Sequence, residues 1–430
     1  MPNDKKDILI SIVIVNYKVP HSLIEALDSL RLAKYYDRSE VIIVDNASKD
    51  SSREIITSKF EEVRWIQLKA NIGFGKACNI GAEAAGGKYL LLLNPDAVVS
   101  ADTLASVVEF MEARPSAGLM GPKILNPDGT LQLSCRRSIP TPAVALYYFS
   151  GLSYLFPKSR RFGSYHLTYM DEDETAQVEV ISGSFMFMRR GLFNEIGGFD
   201  KRFFMYGEDI DLCYRIAGAG YEVWYYPETK IVHQKGKSSA KRRVRSRINF
   251  YGAMIIFLRK YHGQQGSIFP WWLTWVGIVF LATLNIGAIA ARMAAAAIID
   301  LAVLNSVMWA FFSKAASVPF VIPPNRPYYE IMPVLPLIAT HALTGFAFVF
   351  LFLYNGIYSA RQYSLRNLIF SGALSSALVM CGVHFLTPYS RYDFAVIMAA
   401  SMLFFILWRT ALSLSVKAFR GASNFFQKKP

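Results

Sequence analysis

Residues 8–16 read ILISIVIVN, and how that run is read decides the fold. Apart from Ser11 and the closing Asn16, every side chain is Ile, Leu or Val. A strand with one face in water would alternate apolar with polar residues, so a near-continuous run reads as a strand covered on both faces. Lys5 and Lys6 ahead of it imitate a signal peptide. The run is too short for one, lacks a small-residue cleavage site and continues into Asn16 and Tyr17, so a buried first strand is expected. Working outward, residues 20–33 carry a helical pattern, and residues 41–44 form a second apolar run closed by Asp45. A third strand is expected at 63–68, a helix from Gly75, and a fourth strand at 89–93 closed by Asn94, Pro95 and Asp96. Strands alternating with helices build βαβ units, hence an α/β class with a Rossmann-like, mostly parallel sheet. Ligands of such sheets sit beyond the carboxyl ends of the strands, which puts Asp45 and Asp96 on one rim.

The rest of the chain has a different character. With 53% hydrophobic and 18% charged residues, the 430-residue chain is too apolar for one soluble domain and too charged for one buried in lipid. The change falls near residue 262. Apolar segments follow at 270–290, 293–313, 331–354, 366–386 and 393–416, each near the roughly 20 residues a bilayer core requires. The expected organisation is a catalytic domain over 1–262, an interfacial or re-entrant segment over 263–290, and an α-helical transmembrane domain of about four spans over 291–430. Much of the +14 net charge comes from Lys235, Lys237, Lys241, Arg242, Arg243, Arg245 and Arg247. A nucleic-acid site is one reading of such a run. A belt facing anionic lipid fits better beside apolar segments, at about 1 kcal/mol per basic residue. Cys78, Cys135, Cys213 and Cys381 are scattered, so neither a zinc site nor a disulfide framework is signalled, and a reducing compartment fits.

From residue 117 the pattern turns irregular and hairpin-like, with Asn126-Pro127-Asp128-Gly129 as a turn. Residues 178–188 read as a strand whose middle, Ser182-Gly183-Ser184, leaves room for a ligand or another backbone. An acidic helix start, Glu208-Asp209-Ile210-Asp211, and a strand at 221–226 leading to His233 follow. Asp45 can accept hydrogen bonds from a base or ribose. Asp96 can hold a divalent cation through one carboxylate, with phosphate oxygens completing the shell. Asp209 or Glu208, at a helix start that stabilises negative charge, is the candidate base. Singly, each has a plainer reading: a turn cap for Asp45, a turn residue for Asp96, helix-start residues for Glu208 and Asp209, a surface charge for Asp211, a structural histidine for His233. A dinucleotide-binding loop at Gly73-Phe74-Gly75 is excluded, because that fingerprint follows the first strand and needs a third glycine where Cys78 stands.

Taken together, Ser11 to Tyr17, Val44-Asp45-Asn46-Ala47-Ser48, Asn71-Ile72-Gly73-Phe74-Gly75 with Asn79 and Gly81, Leu93-Asn94-Pro95-Asp96, Gly197-Gly198-Phe199-Asp200 and Tyr206-Gly207-Glu208-Asp209-Ile210-Asp211-Leu212 closely resemble the family 2 inverting glycosyltransferases of GT-A fold, in their rhamnosyltransferase-like branch. The motifs stand in family order across residues 8–260. The resemblance implies that Asn16, Asp45, Asn71, Gly73, Asn79 and Asn94 line the nucleotide-sugar pocket. It makes Asp96 the metal-binding carboxylate, for Mg or Mn, with His233 as a further ligand. Asp209 becomes the base, supported by Glu208 and Asp211. Where many GT-A enzymes carry Asp-x-Asp, this chain has Asn94-Pro95-Asp96, a single carboxylate.

From Arg292 the text also resembles the four-span N-terminal membrane region of the polyprenyl-phosphate sugar-phosphate transferases, through Ile299-Asp300-Leu301, Tyr354 to Tyr358 and Tyr389-Ser390-Arg391. Basic residues in short loops keep to the cytoplasm, and Arg292, Arg361, Arg366, Lys417 and Arg420 fit four spans between two cytoplasmic ends. Asp300, inside an apolar span at about 3 kcal/mol, faces a partner or a lipid headgroup, or else marks a helix end. The expected partners are a nucleotide-sugar donor, a polyprenyl-linked glycan acceptor and the bilayer, without nucleic acid; a homo-oligomer is compatible. These point to a multi-pass inner-membrane enzyme of cell-surface polysaccharide synthesis with its catalytic domain in the cytoplasm. The competing expectation is a non-catalytic membrane scaffold that recruits a separate phosphosugar transferase.

Overall fold

The computed structural model describes residues 8–234, 243–261 and 271–317, and the isolated positions 350, 374, 403 and 407. The expected spans at 331–354, 366–386 and 393–416 lie outside the described residues, as do Lys5, Lys6 and the basic stretch from Lys235 to Arg242. Contacts divide the chain into two compact units, Met1–Ser239 with Arg245–Thr283, and Ala240–Val244 with Leu284–Pro430.

In the first unit, β1 (Ile10–Asn16), α1 (Pro20–Arg31), β2 (Ser39–Asp45), α2 (Ser52–Lys59), β3 (Arg64–Gln67), α3 (Phe74–Glu83) and β4 (Tyr89–Leu93) follow one another as the apolar pattern predicts. They build the parallel half of the sheet, in the order β3-β2-β1-β4. β1 and β4 are buried along their whole length, as strands roofed on both faces must be.

The second half corrects the mostly parallel expectation. After β5 (Ala97–Val99) and α4 (Thr103–Ala113) comes β6 (Ala117–Leu125), a central strand where irregular chain was expected. β7 (Arg136–Arg137), α5 (Pro142–Phe149), α6 (Leu152–Leu155), β8 (Ala176–Gln177), β9 (Val180–Ile181), β10 (Phe185–Arg189), α7 (Arg190–Glu195), α8 (Glu208–Gly218) and β11 (Glu222–His233) follow. The sheet continues β4-β10-β6-β11-β5, with β10 antiparallel to both neighbours and β5 and β8 antiparallel to β11. Among these strands only β6 and β11 pair in parallel. The reason is connection type, because β10 arrives through irregular chain rather than a crossover helix, which frees it to run backwards. The strand expected at 178–188 is broken: β9 pairs with β7 in a small separate sheet, and residues 182–184 turn into β10. The turn at 126–129 is present, with Gly129 N–H bonded to Asn126 O at 2.9 Å.

α9 (Arg243–Tyr261) packs on α8 through an apolar cluster in which Ala253, Phe257 and Tyr261 meet Phe203 and the α8 side chains Ile210 and Tyr214. The apolar segments expected at 270–290 and 293–313 are one continuous helix, α10 (Trp271–Ser317). Its portion Thr274–Val303, 30 residues of mean hydropathy 1.9, is the one helix among the described residues long and apolar enough to cross a membrane.

Candidate active site

The rim is assembled by direction. Asp45 ends β2, and Asn94 and Asp96 follow β4. The antiparallel β10 begins beside them, with Asn94 N–H bonded to Ser184 O at 2.9 Å. β11 runs parallel to β6 and ends at His233, in register with Ala97. Residues from four distant stretches thus meet beyond one edge of the sheet, as open α/β sheets require.

A cavity of about 300 Å³ opens there, lined by Asn94, His233, Gln132, Arg137, Ser182 to Ser184, Glu208 and Asp209, and walled by apolar side chains of α5, α9 and the start of α10. A second hollow of about 260 Å³ lies at the ends of β2 and β3, lined by Asp45, Lys49, Arg53, Gln67 and Lys69. Leu68 and Lys69 border the second hollow and Phe74 the first, so the short loop between them joins the two.

Asp45 is buried and receives Asn16 Nδ2 at 2.7 Å, Ser48 N–H at 2.9 Å, Ser48 Oγ at 2.5 Å and Gln67 Nε2 at 2.6 Å. Such a carboxylate is fixed before any ligand arrives. Asn16 is wholly buried and acts through Asp45 rather than in the hollow. Asn46 clasps the joining loop, accepting Ile72 N–H at 2.9 Å and donating to Gly73 O at 3.1 Å. Asn71 Oδ1 accepts Gly73 N–H at 3.1 Å. Gly73 has φ +95°, and a Cβ there would sit 2.4 Å from Phe204 O. Asn79, expected in the nucleotide pocket, borders neither hollow and instead uses both ends of its amide on the Phe199 backbone, at 2.8 Å each.

Glu208 and Asp209 open α8, and their environments separate them. Asp209 Oδ2 meets Arg137 Nη2 at 2.5 Å and Gly183 N–H at 3.2 Å, while Oδ1 takes Ile210 N–H at 2.9 Å. These donors fix the orientation of its carboxyl group. At Gly183 a ligand or another backbone was expected; the Asp209 side chain stands there instead, its Cβ 3.4 Å from where a Cβ of residue 183 would lie. Glu208 is buried, and its Oε2 has no hydrogen-bond partner. Burial, then the adjacent charge of Asp209, push its carboxyl up to about 8. Asp211 does not border the cavity. It is fully buried and receives Arg215 Nε at 2.8 Å, Lys260 Nζ at 2.5 Å and Tyr261 OH at 2.8 Å, a clamp between α8 and α9.

His233 and Asp96 stand where a cation is expected. Gln132 Nε2 donates to His233 O at 2.7 Å, which turns its Oε1 toward His233 Nδ1 at 3.0 Å. On that network Nδ1 donates to Gln132, which leaves Nε2 and Asp96 Oδ1 as two acceptors 3.1 Å apart, a pair that a shared cation would reconcile, with Asn94 Nδ2 3.3 Å from Nε2. A ring oriented through its other nitrogen is how protein imidazoles are prepared for metals. One carboxylate and one imidazole fit Mg or Mn when phosphate oxygens and water complete the shell. No cluster of three or more His, Cys, Asp or Glu side chains suited to a metal occurs among the described residues. Arg137, Gln132 and Gln67 escaped the sequence reading, since none stands in a spacing that marks it; Asn46 stood in a motif there without a role.

A mixed α/β sheet with a carboxylate rim, a polar hollow and an acid-lined cavity defines a GT-A-like group-transfer domain. Residues 11–197 match the family model Glycosyl transferase family 2; the chain carries a domain of that family and is a glycosyltransferase. It is 28% identical over 276 residues to the N-acetylglucosaminyl-diphospho-decaprenol L-rhamnosyltransferase of Mycobacterium tuberculosis, covering 61% of this chain and 86% of that one. It is 29% identical over 168 residues to rhamnosyltransferase WbbL of Escherichia coli, 37% of this chain and 60% of that one. Among solved structures, the mannosyltransferase PcManGT of Pyrobaculum calidifontis with GDP-Man and Mn2+ shares 19% identity over 77% of this chain and 79% of its own, at a TM-score of 0.42, a likeness that carries no argument here.

Proposed function

We propose that the chain transfers a sugar, L-rhamnose in the first instance, from a nucleotide-diphosphate donor to a polyprenyl-diphosphate-linked N-acetylglucosamine, inverting the anomeric centre. The observation that carries this reading is the cavity shared by Asp209, Glu208, Asn94 and His233, with Asp96 behind the histidine. The names of the two rhamnosyltransferases support the sugar, and that of the mycobacterial enzyme the acceptor. The apolar Thr274–Val303 helix supports a membrane location. A multi-pass arrangement with the catalytic domain in the cytoplasm belongs to the same proposal.

The base and ribose occupy the hollow at Asp45, and the diphosphate follows the joining loop toward Asn94. Asp96 and His233 would hold a divalent cation there, which supplies positive charge to the leaving diphosphate. The acceptor hydroxyl attacks the anomeric carbon from the face opposite the diphosphate, and its proton passes to Asp209. Oδ1 is the atom with capacity to spare, since its one protein donor is Ile210 N–H, whereas Oδ2 is held by Arg137 and Gly183. The test is nucleoside-diphosphate release and glycolipid formation by purified protein given a panel of nucleotide sugars and a polyprenyl-diphosphate acceptor. Asp209→Asn should lower turnover by about 10² to 10⁴ with donor binding retained; turnover equal to wild type rejects the assignment.

A further inference from the structure

The α5–α6 hairpin carries apolar side chains that nothing among the described residues covers. Tyr154 is 80% and Leu155 67% exposed, and Leu146, Tyr148 and Phe156 are exposed with them. No residue of α5 is buried. A contiguous apolar patch of this kind marks an interaction surface. Its borders identify the partner. Lys158, Arg160 and Arg161 follow immediately and are exposed, with Arg161 Nε bonded to Tyr147 OH at 2.9 Å. Leucine and aromatic side chains flanked by basic residues are the composition of an element lying in the plane of an anionic membrane surface. The same hairpin is part of the active-site wall, where Pro142 and Ala145 of α5 border the cavity that holds Asp209. α9 and the first turns of α10 complete the apolar wall through Phe250, Met254, Phe257 and Ile278.

We propose that residues 142–156 form a bilayer-docking element. Leu146, Tyr154, Leu155 and Phe156 enter the acyl boundary of an anionic membrane, and Lys158, Arg160 and Arg161 engage its headgroups. α5 thereby meets lipid through Leu146 and the reaction cavity through Pro142 and Ala145 beside it, so a lipid-linked acceptor reaches Asp209 without leaving the membrane surface. This second half rests on the acceptor proposed above; the docking itself does not.

The test uses the full chain in vesicles of phosphatidylglycerol and phosphatidylcholine. Cys78, Cys135 and Cys213 are buried, so Leu155→Cys in a Cys381→Ser background takes an environment-sensitive fluorophore at one exposed site. Glu61→Cys, exposed beyond α2, is the control. Quenching by doxyl-labelled lipid is expected at 155 and not at 61. No quenching at 155 overturns the proposal, whether or not a protein partner or a second copy covers the patch, and equal quenching at both positions overturns it as well. Leu155→Asp should lower transfer to a long-chain acceptor in vesicles by about tenfold relative to a soluble short-chain one, the worth of losing one apolar anchor. Equal loss on both acceptors overturns the delivery role. If the wild-type chain glycosylates neither acceptor, the proposed acceptor fails, and quenching alone still decides whether the hairpin docks.

Discussion

Asp211→Asn separates a structural carboxylate from a catalytic one. The native side chain is wholly enclosed and takes Arg215 Nε on Oδ2, with Lys260 Nζ and Tyr261 OH on Oδ1. Asparagine keeps the volume and one acceptor but points an amide NH2 at a cation. Neither cation is orphaned, since Lys260 retains Asp200 at 2.6 Å and Arg215 retains Ile196 O at 2.7 Å and Gly198 O at 2.6 Å. The loss is therefore confined to two charge-assisted bonds, about 3 to 5 kcal/mol in all. For a domain of this size that lowers Tm by about 10 °C. The measurement is thermal unfolding of the detergent-purified full chain by intrinsic fluorescence, beside turnover well below the transition. Turnover there should fall by less than about tenfold, because Asp209 is untouched and only the α9 wall of the cavity loosens. An unchanged Tm with turnover lower by about 10² would refute the clamp and return Asp211 to the catalytic group.

Glu208→Gln tests the acid pair through pH. The folded carboxyl titrates near 8 against an ordinary 4.5, so between those values the folded state holds a proton that the unfolded state has released, and stability falls as pH rises through that window. The glutamine variant removes this component, and its midpoint relative to wild type should climb from pH 5 to pH 8 in denaturant titrations; a constant difference refutes it. Asp45→Asn turns an amide NH2 toward either the Asn16 donor or the Gln67 donor, which hold opposite oxygens of the carboxylate, and the donor KM should rise about tenfold or more while kcat stays within about threefold. A fall in kcat alone would move Asp45 out of the donor site. Gly73→Ala meets both a positive φ and the Phe204 carbonyl; a loss of about 1 to 3 kcal/mol and weaker donor binding are expected in unfolding and titration assays, and native values would show that the loop shifts freely.

What the sequence disclosed and what it hid follow from how each element is buried. β1, β2 and β4 were legible because strands roofed on both faces become nearly unbroken apolar text. β6 was not, since its AGLMGPKIL carries Gly118, Gly121, Pro122 and Lys123, the punctuation of a loop. Tertiary packing overrides that signal. A Cβ at Gly118 would lie 2.6 Å from the Tyr221 side chain, and buried Lys123 is paired with Glu172 and Asp173. α10 was divided at Arg292 because a charge reads as a span boundary, although one arginine does not interrupt a helix. In the site, motif membership found the carboxylates but did not separate those facing the cavity from those holding the motif together, such as Asp211 and Asn79. Arg137 stayed hidden because its partner lies 72 residues away and no periodicity links them.

The adjacency of Glu208 and Asp209 has a chemical consequence. Two neighbouring carboxyls in a low-dielectric pocket do not both ionise cheaply, and which one keeps the proton decides whether the site contains a base. Here Arg137, Gly183 N–H and Ile210 N–H all donate to Asp209, while Glu208 is buried with Oε2 unpaired. Burial and the adjacent Asp209 push the Glu208 carboxyl up to about 8, so near neutral pH Glu208 is the acid that holds a proton. In the reaction proposed above, the Arg137 guanidinium at 2.5 Å and Gly183 N–H anchor Oδ2, so Asp209 keeps its orientation while Oδ1, with Ile210 N–H as its protein donor, is the oxygen left for an attacking hydroxyl.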